Sequence, residues 1–173
     1  MTDVTVRSEL RPGDFGAIVQ LHGVHYAREY GLDTTFEPYV ARPLADFVLA
    51  GPDAGRLWLA EQDGHIAGSL AIVRTPKSGE AQLRWFLIVP RCRGIGLGRR
   101  LMDDAMSYSK RESMNRVFLW SFDELHAALH LYRAYGFTET EHITSHLWGR
   151  PRTEIRMDLV LDRRSDGSAL TSI

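Results

Sequence analysis

Five arginines, Arg84, Arg91, Arg93, Arg99 and Arg100, fall between Ala81 and Met102, and no acidic residue shares that window. Gly94, Gly96 and Gly98 lie among them, in the run Arg91-Cys92-Arg93-Gly94-Ile95-Gly96-Leu97-Gly98-Arg99-Arg100. Glycines let backbone approach an anion closely, and the first N–H groups of a helix have no partner inside it. A glycine-rich turn that opens a helix is therefore suited to a phosphate or pyrophosphate. The competing reading is an ordinary turn with solvated arginines; the clustering and the missing acids favour the anion site. Gly94-x-Gly96-x-x-Arg99 and Gly96-x-Gly98-x-x-Leu101 both lack the last glycine of a dinucleotide fingerprint, and no Gly-Lys-Ser/Thr follows. Dinucleotides and nucleoside triphosphates are accordingly disfavoured as ligands.

A second group of reactive side chains lies upstream. Phe15, Ile18 and Val19 begin an apolar stripe that continues at helical spacing into His22, then His25 and Tyr26, then Glu29 and Tyr30. Polar groups on a stripe that should be apolar either border a pocket or are hydrogen-bonded boundary residues. In a pocket, Glu29 would pair with a cation and His22 or His25 would relay a proton. Metal chemistry is not expected. His126 and His130 are four apart, as are His142 and His146, but neither pair carries the Glu of a zinc-protease helix and there is no Cys pair. Cys92 has no partnered base in sequence and reads as incidental.

The elements that must hold these groups follow from punctuation and periodicity. Val4, Val6 and Ser8 alternate as a first strand; Asp14 can cap a helix to about Tyr30, ended by Gly31, and Thr35 can cap a second, stopped by Gly51-Pro52. Asp63-Gly64 joins strands at about 56–61 and 65–73 in a tight hairpin. A third strand, about 81–89, ends in the apolar run Trp85-Phe86-Leu87-Ile88-Val89, as expected for a strand covered on both faces. The glycine run leads from it into a helix to about Arg111, and Val117 to Trp120 forms the next strand. Strand, helix and strand of these lengths make a right-handed parallel crossover. A helix at about 124–135 and strands at 137–148 and 154–161 complete a mixed α/β sheet, antiparallel in its first half. Trp120 and Ser121, at the end of the second parallel strand, would face the same opening as the upstream polar stripe.

The 173 residues are 44% hydrophobic and 25% charged, which fits one globular domain over 1–162, with a polar, Ser-rich tail at 163–173 expected to be flexible. A net charge of −1 gives no global reason to expect nucleic acid or an anionic membrane. The longest apolar run, Trp85 to Pro90, is far below the roughly 20 residues of a membrane-spanning helix, and Met1 to Val4 carries no signal-peptide core, so a cytoplasmic location is expected.

The Arg93-x-x-Gly96-x-Gly98 pattern, after an apolar strand and before a helix, resembles the pyrophosphate-binding motif of the GNAT superfamily of N-acetyltransferases. The stretch from Leu125 to Phe137, closing in Leu131-Tyr132-x-x-x-Gly136-Phe137, resembles that family's second motif. Residues 22–30, 36–47 and the two motifs are similar to the acetyltransferase half of bacterial proteins that also carry a MarR-type DNA-binding domain. The resemblance implies about four helices around a mixed sheet, splayed between its two parallel strands where acetyl-CoA lies. It implies pyrophosphate on the backbone of Gly94, Ile95, Gly96, Leu97 and Gly98 beside Arg93 and Arg99, and pantetheine along Phe86 and Ile88. The Ile88 N–H is then the donor to the thioester oxygen, and Tyr132 the general acid. Leu125 stands where the family often has Asn, so no side-chain contact to pantetheine is implied there.

Expected, then, is direct acetyl transfer from acetyl-CoA to a primary amine of a small molecule or peptide, with His25 and Glu29 as catalytic candidates and His22, Tyr26, Tyr30, Trp120 and Ser121 around the acceptor. For Tyr132 the alternative is a core aromatic, since it shares a stripe with Leu125, Ala128 and Leu129. For the chain, the alternatives are a non-catalytic acyl-CoA-binding module and a protein-interaction domain. The last two strands of such folds often take part in dimers, which admits a homodimer.

Overall fold

A computed structural model describes residues 3–161; the tail expected at 163–173 lies outside the described residues. One seven-stranded sheet runs in the order β1-β2-β3-β4-β5-β7-β6, where β1 is Thr5–Arg7, β2 Gly55–Gln62, β3 His65–Arg74, β4 Glu80–Ile88, β5 Arg116–Phe122, β6 Thr138–Ser145 and β7 Arg152–Val160. Among these, only β4 and β5 pair in parallel. Helices α1 (Asp14–Tyr30) and α2 (Phe36–Ala50) cover one face of the sheet, and α3 (Leu97–Arg111) and α4 (His126–Ala134) the other. No helix among the described residues is long and apolar enough to cross a membrane.

The hairpin between β2 and β3 turns on Asp63 and Gly64, both at positive φ, as the dipeptide demands. Two expected caps are replaced. Asp14 is the first residue of α1 rather than its cap, because Gly13 at φ 97° makes the entry; the Asp14 carboxylate instead accepts from Arg7 at 2.8 Å and from the Arg11 N–H. Thr35 makes no side-chain cap to α2; the carboxylate of Asp33 accepts both its N–H and its hydroxyl. The strand expected at 137–148 is shorter, running as β6 only from Thr138 to Ser145, with Phe137 buried ahead of it. The chain then turns through Trp148 and Gly149 at positive φ, and Trp148 packs edge-on against Phe36.

The sheet opens where the expected crossover lies. β4 and β5 keep register only from Glu80↔Arg116 to Gln82↔Phe118, then diverge. The cause is a bulge in β4: β3 advances from Ser69 to Ala71 while β4 spans Leu87 to Arg84. Trp85 takes up the extra length at φ 49°, and the Ser69 hydroxyl donates to its carbonyl at 2.6 Å. A bulge bends its strand and sharpens the twist, which separates β4 from β5 beyond Gln82.

Candidate functional site

The divergence leaves the sheet-edge backbone of β4 free toward β5. Val89 donates its N–H to Ala67 on the β3 side, so by alternation the N–H and C=O of Ile88, and those of Phe86, face the opening. The Ile88 carbonyl accepts there from Arg93 Nε at 2.8 Å.

Below this edge the chain makes a short turn, Pro90–Cys92, and enters α3 through Gly96 at φ 85°, a conformation unfavourable for a side-chain-bearing residue. The Arg100 N–H donates to the Gly96 carbonyl at the entry to α3, so the N–H groups of Leu97, Gly98 and Arg99 before it have no helical partner. A Cβ on Gly98 would stand 3.3 Å from Leu131 and 3.4 Å from Ile88, on the groove wall. Free donors, a helix dipole and a wall kept bare of Cβ fit a diphosphate and the arm attached to it. Gly94, Gly96, Gly98 and Arg99 line this groove; the side chain of Ile95 points to solvent and that of Leu97 into the core, leaving them backbone alone to offer.

Across the divergence lies a smaller, more closed cavity of about 90 Å3, between α1, α2, β4 and β5. The groove and the cavity share Tyr26, Phe86, Leu125 and Tyr132. Tyr132, on α4, is buried, and burial holds its hydroxyl protonated well above the ordinary tyrosine range. Its ring lies 6.0 Å from those of Phe86 and Phe137, so the core and site readings of this residue hold together.

The upstream stripe divides between the two spaces. His22 and Tyr26 line the cavity with Trp120 and Ser121, whereas His25, Glu29 and Tyr30 line the groove. Burial pushes the His22 imidazole down to about 4, outweighing the Ile18 carbonyl bonded to its Nδ1 at 2.9 Å. With Nδ1–H donating to that carbonyl, Nε2 carries a lone pair; it and the Ser121 hydroxyl are buried without partners. Buried polar atoms of this kind are satisfied by ordered water or by a polar ligand.

Glu29 departs from expectation. Both its oxygens are held by Arg93 at 2.7 Å, which keeps the carboxylate below its usual range, and it faces the groove rather than the cavity. Glu29 is thus engaged with the arginine expected beside the pyrophosphate, not open to an amine. His25, lowered by burial against the pull of Glu29, sits 3.7 Å from the same carboxylate. Arg84, grouped in sequence with the arginines of the glycine turn, lines this cavity and not the groove, and Gln82, Tyr39, Trp148 and Glu154, which no sequence pattern singled out, stand on the same wall.

Residues 20–137 match the model of the Acetyltransferase (GNAT) family. The chain belongs to that family. An uncharacterized N-acetyltransferase of Schizosaccharomyces pombe is 29% identical over 132 residues, 74% of this chain and 77% of the relative. Among solved structures, this acetyltransferase superposes on one from Salmonella typhimurium described with its cofactor acetyl-CoA, at TM-score 0.72 and 19% identity over 97% of this chain and 99% of that one. It also superposes on the spermidine N-acetyltransferase of Vibrio cholerae in complex with CoA and spermine, at TM-score 0.69 and 23% identity over 91% and 95% of the two chains. These likenesses are of fold. Among the described residues no group of three or more His, Cys, Asp and Glu is placed to hold a metal ion.

Proposed function

We propose that this acetyltransferase moves the acetyl group of acetyl-CoA directly to a primary amine of a small molecule or peptide, with both bound at once, in the cytoplasm. One observation carries the reading: a groove with free helix-start donors and a smaller, half-open cavity with unpartnered polar atoms share Tyr132 in their walls. Bound donor supplies a thioester-activated acetyl group. The N–H groups opening α3 hold its diphosphate, and the bare edge of β4 at Phe86 and Ile88 pairs with its amide arm. The Ile88 N–H then lies where negative charge grows on the acyl oxygen, and a fixed donor there favours the transition state over the ground state.

His22 keeps a neutral ring at physiological pH and presents the Nε2 lone pair to an amine N–H, orienting the nitrogen for attack. As the N–C bond forms and the C–S bond breaks, Tyr132 gives its proton to the departing sulfur. The amine reacts as its neutral form, its ammonium proton given up to solvent before attack, and the surplus proton left on nitrogen after attack restores the tyrosine through water. Glu29 and His25 serve this scheme by holding Arg93 across the groove, instead of taking the amine proton.

Free-thiol release across a panel of primary amines tests the reading, with acetyl-CoA binding followed separately by calorimetry. Tyr132→Phe is expected to lower kcat about a hundredfold while leaving the acetyl-CoA dissociation constant unchanged. Binding without turnover on any amine would favour an acyl-CoA-binding module, and absence of binding would exclude both.

A further inference from the structure

The inner cavity contains a cation for which the protein supplies no counter-ion. Arg84 is half-buried on β4 and lines the cavity as well as the shallower depression beside Tyr39 and Arg42. Every other described arginine withdrawn from solvent is paired: Arg7 with Asp14 and Glu61, Arg116 and Arg156 with Asp158, Arg152 with Glu124. Arg84 makes no salt bridge among the described residues. It donates to Gln82 Oε1 at 3.1 Å and lies 5.3 Å from the Trp85 ring centre.

Taking a guanidinium from water without a carboxylate costs free energy, and burial accordingly lowers its pKa. Gln82 accepts from Arg84 through its oxygen, which leaves its amide N–H groups to donate beside the guanidinium. Together they offer adjacent N–H donors suited to a carboxylate. Much of the rest of the cavity wall is aromatic, including Phe36, Tyr39, Trp85, Phe122 and Trp148. Glu154 is its single carboxylate, so a polycation would meet one attracting group and one repelling group.

Building on the acetyl transfer proposed above, we propose that the acceptor is an amino acid with an aromatic or bulky apolar body, its carboxylate held by Arg84 and Gln82 and its amine turned toward Tyr132. Arg84 is then the residue that sets specificity. It selects an amine that carries an anion and rejects the same amine without one.

Matched amines test this: L-phenylalanine against 2-phenylethylamine, with spermidine as the polycation. Thiol release gives kcat/KM for each, and quenching of tryptophan fluorescence gives acceptor binding without acetyl-CoA. The expected result is a preference for phenylalanine of about tenfold or more, residing in KM, which Arg84→Gln abolishes and Arg84→Lys partly restores. Equal or better use of 2-phenylethylamine or spermidine, or an Arg84→Gln variant that keeps the wild-type ratio, overturns the proposal while leaving acetyl transfer intact. Arg84-dependent quenching by phenylalanine with no thiol released from any amine would uphold the carboxylate site and overturn the transfer reading. Because the readout is a ratio within one variant, partial unfolding of Arg84→Gln does not mimic the expected result.

Discussion

At His22 the fold opposes a proton. The unfolded chain binds it near the ordinary value of 6.5, while the buried ring in α1 binds it only at about 4. The lower folded value means that the unfolded state takes up the proton first, so the contribution is complete above about pH 6.5 and is lost as pH falls toward 4. The gap corresponds to roughly 3 kcal/mol. Urea midpoints of the wild type are expected to fall through this window, and those of His22→Leu to stay flatter; parallel profiles would refute the assignment. Asp14 acts in a different window. Burial raises its pKa, but the bonds from Arg7 and Arg11 outweigh this and leave it lowered, so its contribution is lost only below the usual carboxylate range. His22 and Tyr26 were legible as cavity-wall residues because helical spacing puts them on a stripe that should be apolar, and Trp120 and Ser121 because they end the second parallel strand. Arg84 stood out only as one of five arginines expected around the glycine turn, and Gln82 as a polar residue in one more strand, so neither was tied to this cavity. Their access to the cavity depends on a bulge at Trp85 that no local pattern announces.

Between elements, the end of α1 is tied to β7 and to the start of α4 by a cluster of three charges. Arg150 and Arg152 both bond the Glu124 carboxylate, and both donate to the Tyr30 carbonyl at the last residue of the helix. The side chain of Arg152 is 0% exposed and that of Glu124 is 34% exposed, so removing the acid strands a buried cation. Glu124→Ala is expected to cost about 3 kcal/mol and to lower Tm by about 10 °C, read by thermal unfolding. A change within a degree would show that the cluster is replaceable by solvent. The element most clearly written in the sequence is the turn into α3, where positive φ at Gly96 and the missing Cβ at Gly98 each have a structural reason. Gly96→Ala puts a side chain at φ 85°, which costs about 1–2 kcal/mol, and it is expected to weaken acetyl-CoA binding measured by calorimetry. The hairpin and the crossover were equally legible. The caps of α1 and α2 were not, because Asp14 and Thr35 have tertiary and turn partners that compete with capping.

For the molecule as a whole, the net charge of −1 conceals how little free positive charge the groove has. Arg93, the arginine closest to the motif, is neutralised by Glu29 and bound to the Ile88 carbonyl. Arg99, exposed in the first turn of α3 and in no salt bridge among the described residues, lines the groove without such a partner. A diphosphate held there therefore relies on uncharged backbone donors, the dipole of α3 and one accessible guanidinium. Salt screens exposed charges over about 10 Å at 0.1 M but barely touches short hydrogen bonds to fixed N–H groups. CoA affinity is accordingly expected to fall only about fivefold between 0.05 and 0.5 M salt, with Arg99→Ala removing most of that dependence. Arg93→Ala should weaken binding at every salt concentration without flattening the curve, because it loosens the strap to α1 in place of a free charge. Calorimetric titrations of the three proteins across the salt series decide it: a flat wild-type curve would show that Arg99 does not meet the phosphates, and a curve flattened by Arg93→Ala would show that Arg93 leaves Glu29 to do so.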